Sequence, residues 1–209
     1  GFRKNGNEAI ELPIEEDEVL SQFVSYLIGV MMGRYRLDKP GLNIAHPNPT
    51  EKETAIYTYN GHKIEIDKDA ILPLMGEDCA FPDDIMVQLK KLLQAIWGED
   101  SLTDNINFLQ QSLDTSLHNW LTTRFWKNHT GMYKKKPIYW LFSSNPKKPE
   151  KSAFKVLVYM HRMDKFTVQQ IQRNYLYPHQ DHIKGQLQNL KENEANLSKE
   201  EQKEMIDRQ

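Results

Sequence analysis

The sequence predicts an α+β fold, mainly helical, with a small hairpin and a short antiparallel core sheet. Three observations carry that expectation. Apolar residues recur at helical spacing over residues 15–32 and again over 82–97. Asn60-Gly61 sits between two alternating stretches in TAIYTYNGHKIEID, the strongest short-range signal for a hairpin. Two apolar runs, PIYWLFSS and AFKVLVYMH, are joined by the Pro-interrupted NPKKPEK.

In chain order, the first helix carries Val19, Leu20, Phe23, Val24, Leu27, Ile28, Met31 and Met32 at helical spacing. Glu15, Glu16, Asp17 and Glu18 suit the positive end of its dipole. Gly33 stops it, and Pro40-Gly41 marks a turn. The second long helix opens at Phe81-Pro82-Asp83-Asp84, carries Ile85, Leu89, Leu92, Leu93 and Ile96, and ends at Gly98. Two further helices are expected over residues 104–113 and 114–126. Pro137, lacking an amide hydrogen, suits the first residue of a strand, and IYWLFSS is expected to be buried on both faces beside FKVLVYMH. Residues 167–175 and the segment from His179 onward read as helices. In that last segment Ile183, Leu187, Leu190 and Leu197 form a broken heptad seam. The domain expectation is a mixed domain over 1–178 and a charged helical tail over 179–209 that begins a coiled segment.

At 39% hydrophobic and 10% aromatic residues, the 209-residue chain can bury a core. The single Cys79 excludes an internal disulfide framework and a cysteine-cluster zinc site, and it suits a reducing, cytoplasmic location. The longest apolar run, 23–32, is broken by Ser25, Tyr26 and Gly29 and is too short to span a bilayer, so no membrane partner is expected. The opening GFRKNGNEAIELP and the charged helical end read as cuts within a longer protein.

A formal charge of −2 conceals strong segregation. Residues 1–120 hold 10 basic and 20 acidic side chains, whereas 121–173 hold 12 basic ones opposed by Glu150 and Asp164. Such a block steers a polyanion unless it pairs internally with the acidic half. The candidate phosphate-contacting residues fall in three places. Lys134, Lys135 and Lys136 stand at the mouth of the IYWLFSS strand, with Lys147, Lys148 and Lys151 on the adjoining loop. Arg162 follows the second strand, with Arg173 further on. Arg34, Arg36 and Lys39 interleave with Tyr35 and Leu37 in MGRYRLDKPGL, which on periodicity alone reads better as a helix stop and a structural turn. If the two strands form a hairpin, the triple lysine and the lysine loop lie at opposite ends, with Arg162 beside the triple lysine.

The catalytic search assigns no catalytic and no metal residue. There is no Gly-rich phosphate loop, Gly-x-Ser-x-Gly elbow or His-Glu-x-x-His helix. Glu201-Gln202-Lys203 fits an acid-x-Lys nuclease step but lies on a solvated tail. His179 and His182 flank Asp181 at a spacing that suits two metal ligands. Without a visible third ligand, a polar helix start is the better reading.

Four blocks in order resemble a known family: YLIGVMMGRYRLDKPGL (26–42), DDIMVQLKKLLQAIWGEDSLTDNINFL (83–109), LTTRFWKNHTGMYKKKPIYWLFSS (121–144) and FKVLVYMHRMDKFTVQQIQRNYLYP (154–178). They resemble the C-terminal part of the PglX-type adenine-specific DNA methyltransferases of BREX phage-exclusion systems, also described as methylase subunits of type II restriction enzymes. The resemblance runs from Val19 to Gln188. It implies a parent enzyme that uses S-adenosylmethionine to methylate adenine in a short site of double-stranded DNA. Such enzymes carry a Gly-rich cofactor motif and an Asn-Pro-Pro-Tyr-type motif for a flipped base. The Asn-Pro pairs here are Asn48-Pro49-Thr50 and Asn145-Pro146-Lys147, so no catalytic residue carries over and no cofactor is expected in this fragment. The resemblance therefore implies a non-catalytic piece near the target-recognition region that contacts DNA. The alternative is a docking module for other subunits of the defence system, suggested by the acidic first half, the Tyr- and Trp-rich stretches and the coil.

Overall fold

The computed structural model describes residues 15–75 and 81–192. Helix α1 (Glu16–Met31) matches the first apolar stripe, with Val24, Leu27 and Ile28 wholly removed from solvent. Burying each such side chain contributes about 1.5–3 kcal/mol. Gly29 lets the sheet approach this helix: a Cβ there would come within 2.7 Å of the Tyr139 hydroxyl and of the Tyr35 ring. A single turn, α2 (Glu51–Thr54), is capped by Thr50 in a reciprocal box with Glu53. Strands β1 (Tyr57–Tyr59) and β2 (His62–Ile64) pair antiparallel around Asn60 at φ 47° and Gly61 at φ 82°, as a primed hairpin turn requires. The Asn60 amide also donates to Ala95 O at 3.1 Å, tying the hairpin tip to the next long helix.

Strand β3 (Ile71–Pro73) is absent from the sequence expectation, because three residues are too few to display an alternation. Helix α3 (Ile85–Trp97) starts where Asp84 accepts from Met86 N at 2.8 Å and stops at Gly98, φ 90°. Helix α4 (Leu102–Ser112) follows. The next helical run begins later than expected, because Asp114 adopts φ 51° and Ser116 caps by accepting from Asn119 N. That run comprises α5 (Leu117–Asn119), a π-helical stretch Trp120–Arg124, and α6 (Phe125–Met132), which passes the expected end at Trp126.

Strands β4 (Tyr139–Ser143) and β5 (Lys155–Tyr159) form the expected hairpin, with Tyr139 opposite Tyr159 and Ser143 opposite Lys155. The loop between them holds a short turn at Pro149–Lys151. β3 takes the far side of β5, giving the order β3-β5-β4. This corrects the expectation for IYWLFSS. The strand buried on both faces is β5, whereas β4 is an edge strand on which Trp140 is 45% exposed.

After a turn at Met160–Arg162, α7 (Thr167–Gln170), a π-helical stretch Ile171–Leu176 and α8 (Tyr177–Glu192) run as one continuous helix. The boundary expected between 178 and 179 falls inside it. Cys79, Leu197 and Glu201-Gln202-Lys203 lie outside the described residues. The period of two sorts the three-stranded sheet into two faces. Leu72, Leu157, Tyr139 and Tyr159 face the core built by α1, α3 and α6. Ile71, Val156 and Val158 lie under Ile171 and Tyr175 of the C-terminal helix. Among the described residues no helix is long and apolar enough to cross a membrane.

Candidate nucleic-acid interface

The triple lysine proves to be the C-terminal cap of α6 before it is the mouth of β4. Its amides close the last turn: Lys134 N donates to Gly131 O at 3.0 Å, Lys135 N to Thr130 O at 2.7 Å and Lys136 N to Tyr133 O at 2.9 Å. Lys134 and Lys135 hold φ 50° and 63°, positions where glycine or asparagine is the usual occupant. Their charges sit at the negative end of the helix dipole, which offsets part of that strain. All three side chains are exposed, and among the described residues no ion pair reaches them.

His129 of α6 fixes how the cap leads into the strand. Its Nε2 accepts from the amides of Ile138 and Tyr139, each at 3.2 Å. Two donors on Nε2 place the ring proton on Nδ1 and keep the imidazole neutral. Burial, with a lesser push from Arg34, pulls its pKa down to about 4. The Phe125, Tyr133 and Tyr139 rings surround it.

At the other end of β4, Asn145 organises the lysine loop. Its side-chain oxygen accepts from Lys148 N at 3.1 Å, and its own amide donates to the Ser152 hydroxyl at 3.1 Å. Lys147, Lys148 and Lys151 project into solvent without an ion pair among the described residues. The two lysine groups therefore bracket a five-residue strand, a span of about 17 Å. From Leu121 to Pro149 the chain has no acidic residue. Arg173, on the π-helical stretch, and Lys39, in the turn after α1, are exposed but stand on other elements.

Three of the arginines named with these lysines are engaged within the protein. Arg162, just past β5, turns its side chain into the protein. It is 9% exposed, and its guanidinium donates to Met32 O (3.2 Å), Asp67 O (2.8 Å) and Lys68 O (2.6 Å). Arg34 donates to the Tyr35 and Tyr159 hydroxyls at 3.0 and 2.8 Å, and the Tyr159 hydroxyl in turn donates to Ile44 O at 2.8 Å. Arg36 forks onto the Asp38 carboxylate at 2.8 and 2.7 Å and lies over the Tyr57 ring at 4.0 Å. The physical reason is common to all three. A planar fork of donors matches fixed carbonyl, phenol and carboxylate acceptors better than it tolerates partial burial without them.

No family model matches the chain. The adenine-specific methyltransferase BrxX of Escherichia coli O9:H4 (strain HS) is 35% identical over 211 residues, covering 90% of this chain and 17% of that protein. The adenine-specific methyltransferase PglX of Lacticaseibacillus casei (strain Zhang) is 32% identical over 193 residues, covering 88% of this chain and 15% of that protein. The chain is a homologue of one part of these methyltransferases. The PglX resemblance read from the four sequence blocks is borne out. The chain spans about a sixth of each of these relatives.

One further constellation in this methyltransferase homologue was not legible in its sequence. The Tyr175 hydroxyl lies 3.1 and 3.2 Å from the two Asp69 oxygens and 2.9 Å from Asp83, linking the C-terminal helix to the entry of β3 and to the start of α3. Asp67 stands in the same cluster. Its burial, and secondarily the Asp69 charge, pushes its pKa up to about 8, while burial also raises Asp83. These groups border a cavity of about 770 Å³ that Leu72, Phe81 and Leu92 also line. No three of the described His, Cys, Asp or Glu side chains are arranged to hold a metal. His179 accordingly turns to Ala153 O at 3.0 Å, joining α8 to the start of β5.

Proposed function

We propose that this chain is a non-catalytic, DNA-contacting part of a site-specific adenine DNA methyltransferase in a phage-defence or restriction-modification system of the cytoplasm. The observation that carries this reading is the β4 surface. Exposed lysines without an ion pair among the described residues stand at both ends of an edge strand, and all but Lys151, which follows Glu150, lie inside a stretch free of acidic residues. Lysine ammonium groups of this kind attract phosphates without reading bases, so their role is to hold the duplex in register. The names of the homologues support an adenine-methylating parent. S-adenosylmethionine binding and transfer to the base belong, on this reading, to the remainder of that parent. The absence of a Gly-rich cofactor motif and of an Asn-Pro-Pro-Tyr-type motif from this sequence supports that division.

A salt titration of duplex binding by the chain tests the reading. Log affinity should fall linearly with log salt, by about 0.9 per neutralised phosphate. Removing the charges of Lys134, Lys135 and Lys136 should make the slope shallower by about 2–3. No binding at low salt overturns the proposal.

A further inference from the structure

The hydrogen-bond register of β4 says which of its backbone groups are free. Met160 N donates to Ile138 O, and Ser144 N donates to Phe154 O, so the even-numbered residues of β4 face β5. The backbone groups of Tyr139, Leu141 and Ser143 face the open side. His129 takes the Tyr139 amide. Among the described residues nothing pairs with the amides of Leu141 and Ser143, because β4 has a neighbouring strand on one side alone. Two residues apart, these donors are about 6.8 Å from each other, comparable with the separation of successive phosphates along one nucleic-acid strand. Backbone amides are common phosphate partners.

Immediately before the Leu141 amide stands Trp140. Its partner in the register is Val158, which places the indole on the sheet face that Ile71 and Val158 share. The C-terminal helix covers Ile71 and Val158, yet Trp140 remains 45% exposed. Within the acid-free stretch 121–149, Trp140 and Met132 are the large apolar side chains left open to solvent among the described residues, and Trp140 alone of the two has a ring. A half-exposed indole and two free amides thus belong to one edge strand whose two ends carry six exposed lysines.

We propose that this edge holds a nucleotide whose base lies outside the duplex stack, with Trp140 against the base and the Leu141 and Ser143 amides on its phosphates. The inference rests on the DNA-contacting reading above and narrows it to one residue and one nucleic-acid form. An indole stacks on the π-face of a base, and a paired duplex hides that face. The same amides would accept a β-strand from a protein. Five of the six lysines lie in the acid-free stretch 121–149, with Glu150 beside the sixth, Lys151, and this excess of positive charge favours the polyanion.

The test uses the purified chain with two short duplexes, one fully paired and one carrying a single bulged adenine, read by anisotropy and by tryptophan fluorescence. The bulged duplex is expected to bind more tightly and to quench the indole. Trp140→Ala should weaken bulged binding about tenfold and leave paired binding within about twofold, while Trp140→Phe retains most of the preference. Lys134→Asn/Lys135→Gly/Lys136→Gln should weaken both duplexes alike. An unchanged ratio of bulged to paired binding in Trp140→Ala, with the lysine effect intact, overturns this inference and leaves the DNA reading standing. Failure of both duplexes to bind at low salt removes both and leaves the edge to a protein strand. Trp140 is partly solvent-exposed, and thermal melting of the variant confirms that the fold is retained.

Discussion

The basic residues around the end of α1 and those flanking β4 spend their charge in opposite ways. Arg34, Arg36 and Arg162 are committed inward, to phenols, a carboxylate and three backbone carbonyls. Lys134–Lys136, Lys147, Lys148 and Lys151 are committed to nothing among the described residues. The first group holds elements together and the second is available to a ligand. A basic count over a stretch of sequence therefore overstates its surface charge wherever arginines can find fixed acceptors. Lys155 adds to the same point, since it is buried and donates to Thr122 O in the π-helical stretch.

Four measurements sharpen or break that contrast, in order of expected size. Arg162→Met leaves three buried carbonyls without their donors and should lower stability by about 2–4 kcal/mol in chemical denaturation. Its DNA salt slope, measured where the variant is folded, should match the parent. A shallower slope would place Arg162 with the lysines and dissolve the distinction.

The second measurement concerns His129. Its folded pKa is depressed to about 4 against an ordinary 6.5, so its contribution is fully present above pH 6.5 and is lost as pH falls toward 4. The slope of stability should approach about 1.4 kcal/mol per pH unit within that window. His129→Phe should flatten this acid slope while lowering stability at neutral pH by about 2 kcal/mol, through the orphaned amides of Ile138 and Tyr139.

Asp67 gives the opposite sign. Its folded pKa is raised to about 8 against an ordinary 3.8, so its contribution is intact below pH 3.8 and is lost progressively as pH rises from there through 8. Asp67→Asn should abolish the loss between pH 3.8 and 8, and an equal pH dependence of stability in the two proteins over that window would refute the buried, protonated carboxyl. The smallest effect belongs to Lys135→Gly. Relief of φ 63° should raise stability by about 0.5–1 kcal/mol, and loss of one ammonium should lower the DNA salt slope by about 1. A gain in stability together with a loss in binding would show that a lysine is kept there for its charge and not for its backbone.

What the sequence revealed followed from local physics. The stripes of α1 and α3, the Asn60-Gly61 turn and the β4–β5 hairpin each rest on spacing or turn chemistry within a few residues. What it hid depends on distant partners. β3 is three residues long and exists through its pairing with β5, and that pairing decides that β4 is an edge. Arg162 turns inward because carbonyls 130, 95 and 94 residues away converge on it. The triple lysine was legible as a charge cluster but not as a helix cap, since the sign of φ at Lys134 and Lys135 depends on how α6 ends. The Tyr175–Asp69–Asp83 link joins segments that no spacing rule connects.

The bond from His129 to the first amides of β4 has a mechanical consequence. It closes a small hoop of chain, from His129 round through the three lysines to Tyr139, at its base. Within the hoop the turn amides are already spent on the end of α6. A polyanion meeting Lys134–Lys136 therefore has little backbone left to order, and the entropic cost of contact is confined to the lysine side chains. The same closure makes the hoop acid-labile, because a proton on His129 Nε2 displaces both amides at once. Below about pH 4 the lysines would keep their charge and lose their fixed positions.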